Sequence, residues 1–208
     1  MIADTALSFV HRFEPATATG LPPLLLLHGT GGDENDLLSL GRTLAPGAAL
    51  LSPRGKVMEG GMPRFFRRFA EGVFDESDVR ARAGELAAFI TEARAAYGLA
   101  APIAVGFSNG ANIAAALMLT DPDALAGAVL LRAMVPLANP APVDLKARPV
   151  LLLSGAMDPI VPEENAARLA GQLERAKATV THRILPAGHG LSQADINLSH
   201  QWISALAR

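Results

Sequence analysis

Six short stretches of this chain are rich in apolar residues: Pro23–Leu27, Ala48–Ser52, Pro102–Phe107, Gly127–Leu131, Val150–Ser154 and, less uniformly, Val180–Leu185. A strand with one face in water alternates apolar and polar residues; a strand covered on both faces has no need to. Runs of this length without alternation therefore suit a parallel sheet buried between layers of helices. A first segment, Leu7–Phe13, does alternate and reads as an antiparallel edge strand or hairpin arm.

The intervals carry helical patterns. Asp33, with Asp36 three residues on, predicts the cap of a helix running to about Leu44. Leu86, Phe89, Ile90, Ala93 and Tyr97 recur at helical spacing within Ser77–Tyr97, and Gly98 stops that helix. Ala111–Leu119 is an alanine-rich helix. Pro162-Glu163-Glu164 opens another, with acids at its positive end and Ala166, Leu169, Ala170 and Leu173 along one face. Ser192 followed by Asp195 opens the last, which is expected to bury Ile196, Trp202, Ile203 and Leu206. Strands alternating with helices predict an α/β fold with a doubly wound, mostly parallel sheet and a site beyond the C-terminal ends of its strands. These elements use nearly all of the 208 residues, so one domain spanning 1–208, without a separate cap domain, is expected.

Composition narrows the function. Half of the residues are hydrophobic and 18% are charged, as in a compact globular protein. A net charge of −2 gives no electrostatic reason to expect nucleic acid as a partner. There is no cysteine, which removes disulfides, thiolate nucleophiles and thiolate-held zinc together and fits a reducing compartment. No apolar run reaches the roughly 18 residues of a membrane span, and Met1–Thr5 does not begin a secretory signal. A soluble, cytoplasmic protein is the expectation. No His-Glu-x-x-His or comparable spacing supports a metal site.

The chemistry centres on Gly106-Phe107-Ser108-Asn109-Gly110, which follows the run Ile103–Val105 and precedes the alanine-rich helix. Strand, Gly-x-Ser-x-Gly turn and helix together are the context of a nucleophile elbow, and the glycines are expected to let the backbone turn sharply there. A serine hydroxyl needs a base and a group to hold that base. Asp158 lies just past the run Val150–Ser154, and His189 lies in a glycine-flanked loop just past Val180–Leu185. The order Ser, Asp, His and the placement at strand ends favour these two over the competitors. His11 and His182 fall within strands, His200 in the last helix, and Asp121, Asp123 and Asp144 in surface connections. His28-Gly29-Thr30-Gly31-Gly32 follows Leu24–Leu27, where its backbone can come close to a substrate carbonyl. The expected oxyanion donors are the N–H groups of Thr30 and Asn109, with His28 a structural residue ordering the loop.

Four motifs, His28–Gly32, Gly106–Gly110, Gly155–Asp158 and Gly188-His189, resemble the small carboxylesterase, phospholipase and acyl-protein-thioesterase branch of the α/β-hydrolases over nearly the whole chain. The pairing of His28–Gly32 with Gly106–Gly110 is most similar to small bacterial carboxylesterases. The resemblance implies a cofactor-free carboxylic ester hydrolase with Ser108, His189 and Asp158 as its triad, and it is compatible with a homodimer. Acyl-protein thioesterases usually carry leucine at the position of Thr30 and glutamine at that of Asn109, so their lipidated-protein substrates do not carry over.

Arg54–Asp75 is long for a connection and holds Met58, Met62, Phe65, Phe66, Phe69 and Phe74 among glycines. Two readings stand: a substrate-facing loop whose methionines and phenylalanines wall an acyl pocket, or aromatics that close the core. Arg54, Arg64, Arg67 and Arg68 have acids nearby and read as ion-paired rather than as an anion site. An open or shallow site for a small-molecule ester of short to medium acyl chain follows. Within enzymes the alternative is a thioesterase using the same groups; from another class, a non-catalytic binding protein on a hydrolase scaffold. A serine peptidase is disfavoured because no gating domain is visible.

Overall fold

A computed structural model describes residues 7–206. In chain order its elements are β1 (His11–Glu14), β2 (Leu24–Leu27), α1 (Leu38–Leu44), β3 (Leu50–Pro53), β4 (Val57–Glu59), β5 (Met62–Arg64), β6 (Arg68–Ala70) and β7 (Val73–Phe74). Then come α2 (Glu76–Tyr97), β8 (Ile103–Phe107), α3 (Asn109–Thr120), β9 (Gly127–Leu131), β10 (Pro149–Gly155), α4 (Glu163–Arg175), β11 (Thr179–Leu185) and α5 (Gln193–Leu206).

All six apolar runs are strands of one sheet ordered β1-β3-β2-β8-β9-β10-β11. It is parallel except for β1, the edge strand, which pairs antiparallel with β3. The absence of alternation has the expected cause. Leu24 and Leu26 of β2 pack with α1 and α5 on one face, while Leu25 and Leu27 pack with α2 and α3 on the other. Thr179–Leu185 is the exception. As the opposite edge it has one neighbour and stays half-exposed along most of its length. No helix among the described residues is long and apolar enough to cross a membrane.

The helix boundaries show where local signals hold. Gly98 ends α2 in the left-handed conformation at φ 67°, as its position predicts. Ser192 and Asp195 cap α5 reciprocally, Ser192 Oγ donating to the carboxylate at 2.7 Å. Of the residues α5 was expected to bury, Ile203 is buried, Ile196 and Trp202 are half-buried and Leu206 is exposed. Asp33 does not cap α1, which starts only at Leu38. Its carboxylate instead accepts the Asn35 N–H at 2.7 Å, closing a turn, and Glu34 pairs with Arg54.

The segment 54–75 is not a loop but two antiparallel hairpins, β4–β5 and β6–β7. Gly60 and Gly61, at φ 55° and 83°, supply the first turn.

Candidate active site

Four loops meet at the C-terminal ends of the parallel strands. Ser108 follows β8, Asp158 follows β10, His189 follows β11 and the His28–Gly32 loop follows β2. Ser108 sits at φ 52° and ψ −115°, a conformation a non-glycine residue adopts only under constraint. The constraint is visible. Its N–H donates to Leu131 O at 2.8 Å and its carbonyl accepts from Asn112 N–H at 2.9 Å, so the serine is pinned between β9 and the first turn of α3.

His189 Nε2 lies 3.0 Å from Ser108 Oγ, and His189 Nδ1 lies 2.9 Å from Asp158 Oδ2. An ionised carboxylate only accepts, so Nδ1 carries the hydrogen and Nε2 presents its lone pair to the serine hydroxyl. The Asp158 side chain is fully buried, and its other oxygen accepts the N–H groups of Ile160 at 2.8 Å and Val161 at 3.1 Å. Those bonds fix the carboxylate's direction.

His28 is held differently. Its Nδ1–H donates to Gly29 O at 2.7 Å and its Nε2 accepts the Gly55 N–H at 3.0 Å. Both ring nitrogens are engaged within the protein, and burial holds the imidazole below its usual pKa. It is a neutral brace between the β2 loop and the start of the first hairpin. Gly31, at φ 87°, turns that loop, and its N–H is tied to Pro63 O at 3.0 Å. Among the described residues, no protein group accepts from the N–H of Thr30 or of Asn109, the first residue of α3.

A cavity of about 230 Å³ opens here, bordered by Thr30, Ser108, Asn109 and His189. Its apolar wall is Phe74, Phe107, Met134, Ile160 and Val161. None of Met58, Met62, Phe65, Phe66 and Phe69 lines it, which corrects the expectation that these residues wall the site. Phe65 and Phe66 belong to the core, Met58 and Met62 are exposed, and Phe69 is 74% exposed. The hairpin pairing explains the split. Within β6–β7 it carries Phe69 out to solvent and Phe74 to the cavity, while the Phe65 N–H is fixed to Asn109 Oδ1 at 2.7 Å.

The arginines of this segment are ion-paired. Arg54 meets Glu34, Arg64 meets Glu59, Arg67 meets Asp75 and Arg68 bridges Glu59 and Glu71. Burial pushes the Glu59 carboxyl up, but bonds and charge from Arg68 and Arg64 outweigh it and hold the group below the usual range. Arg64, Arg68 and Glu71 nevertheless line the cavity, which makes its wall more polar than the sequence suggested. Arg132 lines it too, a residue that the sequence motifs do not include. The available signal was a lone cation just past a buried strand's C-terminal end.

The geometry agrees with comparisons to known proteins. Residues 14–206 match the profile of the phospholipase/carboxylesterase family. The chain is 44% identical over 194 residues to the hydrolase MhqD of Bacillus subtilis (strain 168), covering 92% of this chain and 96% of that one. Its fold superposes on a carboxylesterase from Bacillus cereus with a TM-score of 0.93 at 42% identity, over 97% of this chain and 95% of the other. A carboxylesterase from Mesorhizobium loti gives a TM-score of 0.91 at 34% identity, over 96% of each chain. The chain belongs to the phospholipase/carboxylesterase family and is a carboxylic ester hydrolase with the α/β-hydrolase fold.

Proposed function

We propose that the chain cleaves esters of short to medium acyl chain through an acyl-enzyme, with Ser108 as nucleophile, His189 as general base and acid, and Asp158 as the group that orients His189. The observation that carries this reading is the unbroken hydrogen-bond chain from Ser108 through His189 to the buried Asp158, at 3.0 and 2.9 Å. Ser108 Oγ attacks the ester carbonyl carbon as its proton passes to His189 Nε2, and the imidazolium is stabilised by the Asp158 carboxylate. His189 then protonates the leaving alkoxide oxygen as the C–O bond breaks. A water enters, gives its proton to His189 and attacks the acyl carbon; the returning proton restores Ser108 as the acid departs. The unpaired N–H groups of Thr30 and Asn109 support their assignment as the oxyanion donors. A donor of this kind typically stabilises the transition state by about 3–4 kcal/mol.

The acyl group is assigned to the apolar wall of Phe74, Phe107, Met134, Ile160 and Val161. The cavity's 230 Å³ is below the roughly 300–1,000 Å³ of sites for drug-sized ligands, which favours short acyl groups. Fluorophosphonate labelling of the wild type and Ser108→Ala, with p-nitrophenyl ester turnover alongside, tests the reading. The variant should lose the label, and its kcat should fall by on the order of a millionfold. Equal labelling of both proteins would sink the nucleophile assignment. Turnover rising steadily toward long acyl chains would sink the chain-length assignment.

A further inference from the structure

Arg132 is 0% exposed and follows β9 with a left-handed backbone, φ 58°. A strained, buried cation persists only where its surroundings over-determine it, so its partners indicate what it does. Asp195, 1% exposed in the first turn of α5, takes two guanidinium nitrogens at 2.7 and 2.8 Å. Burial pushes the Asp195 carboxyl up, yet the bonds from Arg132 and Ser192 outweigh it and keep the group ionised, so the pair is neutral as a unit. The remaining donors are aimed elsewhere. Nε donates to Gly188 O at 2.8 Å and Nη2 to Gly190 O at 3.2 Å. Gly188 and Gly190 are the residues on either side of His189.

Other contacts reach this loop at its edges. The Gly155 backbone packs against Gly188 O, the Met157 N–H donates to Ala187 O at 3.0 Å, and the Phe107 ring lies 5.4 Å from the His189 ring. The hydrogen bonds to Gly188 O and Gly190 O themselves come from Arg132. A Cβ at Gly190 would meet nothing within 4 Å and one at Gly188 would only touch Met157 O at 3.7 Å, so open space lies beside the Cα of each flanking glycine. The same segment also ties the other two loops. Leu131 O accepts the Ser108 N–H at 2.8 Å, and Arg132 N–H donates to Leu153 O, in the strand that leads to Asp158, at 2.9 Å.

We propose that Arg132, neutralised by Asp195, is a positioning residue that clamps the carbonyls flanking His189 and so aligns the imidazole between Ser108 and Asp158. The proposal rests on the triad reading above. It assigns Arg132 to kcat rather than to substrate binding, although the side chain borders the cavity.

Arg132→Lys keeps a cation for Asp195, but a single ammonium cannot also span both carbonyls as the planar fork does. The variant should fold with KM little changed and kcat down about a hundredfold, the scale expected for a misplacement of roughly 1 Å. Labelling of Ser108 by fluorophosphonate should slow in parallel. Changing one member of a buried pair can unfold a protein, so Arg132→Met combined with Asp195→Leu serves as the second variant; buried pairs commonly tolerate apolar replacement. It should melt within a few degrees of the wild type, the loss of the α5 cap included, and show the same loss in kcat. Wild-type kcat in either folded variant overturns the proposal, as does a change confined to KM. If neither variant folds, the pair belongs to the fold and the proposal falls. A wild type that takes no label at Ser108 would instead overturn the triad reading, whatever the variants do.

Discussion

At the scale of single residues, the strain of the Gly106–Gly110 turn falls on Ser108 and the glycines around it serve a different need. Ser108 has φ 52°, whereas Gly106 and Gly110 are absent from the positive-φ positions. What those glycines provide is room. A Cβ on Gly110 would lie 1.9 Å from Leu27 O and one on Gly106 2.5 Å from Gly110 O, because α3 leaves β8 directly against the end of β2. Neither contact is with a side chain that could swing aside. Gly110→Ala should therefore cost about 3 kcal/mol, and since β2 would have to shift, the His28–Gly32 loop would shift with it. Thermal melting should drop by roughly 6–12 °C with loss of ester turnover. An unchanged melting temperature would mean the backbone there yields more easily than the geometry allows.

At the scale of elements, the two hairpins depend on the helix that follows them. Asp75 caps α2: its Oδ1 accepts the Asp78 N–H at 3.2 Å and the Ser77 hydroxyl at 2.7 Å, and its Oδ2 pairs with Arg67 at 3.0 Å. Asp78 in turn accepts the Arg67 N–H at 2.7 Å. The first turn of α2 thus anchors β6–β7, which presents Glu71 and Phe74 to the cavity. Asp75→Ala should lower stability by about 1 kcal/mol, the usual worth of an N-cap carboxylate. A melting temperature 2–4 °C lower, by roughly that conversion, is the expected reading, and no shift would assign the hairpin's anchorage to Asp78 alone.

At the scale of the whole molecule, one buried histidine, His28, and one half-buried histidine, His182, shape the response to acid. Burial lowers the pKa of both His28 and His182 in the folded chain. The unfolded chain takes up protons below about pH 6.5 at sites where the folded chain does not. Stability contributed by these histidines is therefore complete above that pH and declines as pH falls toward their lowered folded values. Denaturant midpoints should fall between pH 7 and pH 5, and His28→Gln should shallow that fall. Midpoints independent of pH across this window would rule the histidines out as its cause.

Much of this molecule was legible from the chain alone because it is written in local order. A strand buried on both faces needs an apolar run, a helix end marks itself with Gly98 or with Ser192 and Asp195, and the site residues sit just past strand ends. Ser108, Asp158 and His189 could be picked out, and brought to one edge of the sheet, on that logic. What it could not supply were pairings between residues far apart in sequence. The 54–75 segment has a turn signal at Gly60-Gly61, but which of its aromatics reach the cavity depends on hairpin pairing and on a bond from Phe65 to Asn109, 44 residues away. Arg132 and Asp195 are 63 residues apart, and nothing near either one names the other. Periodicity determined the layers, motif order placed the candidate chemistry at the sheet's C-terminal edge, and the reaction class followed from the family resemblance of those motifs. Only the tertiary structure decided which side chains wall the cavity and what holds the histidine loop, because a buried charge acquires meaning from the partner that the fold brings to it.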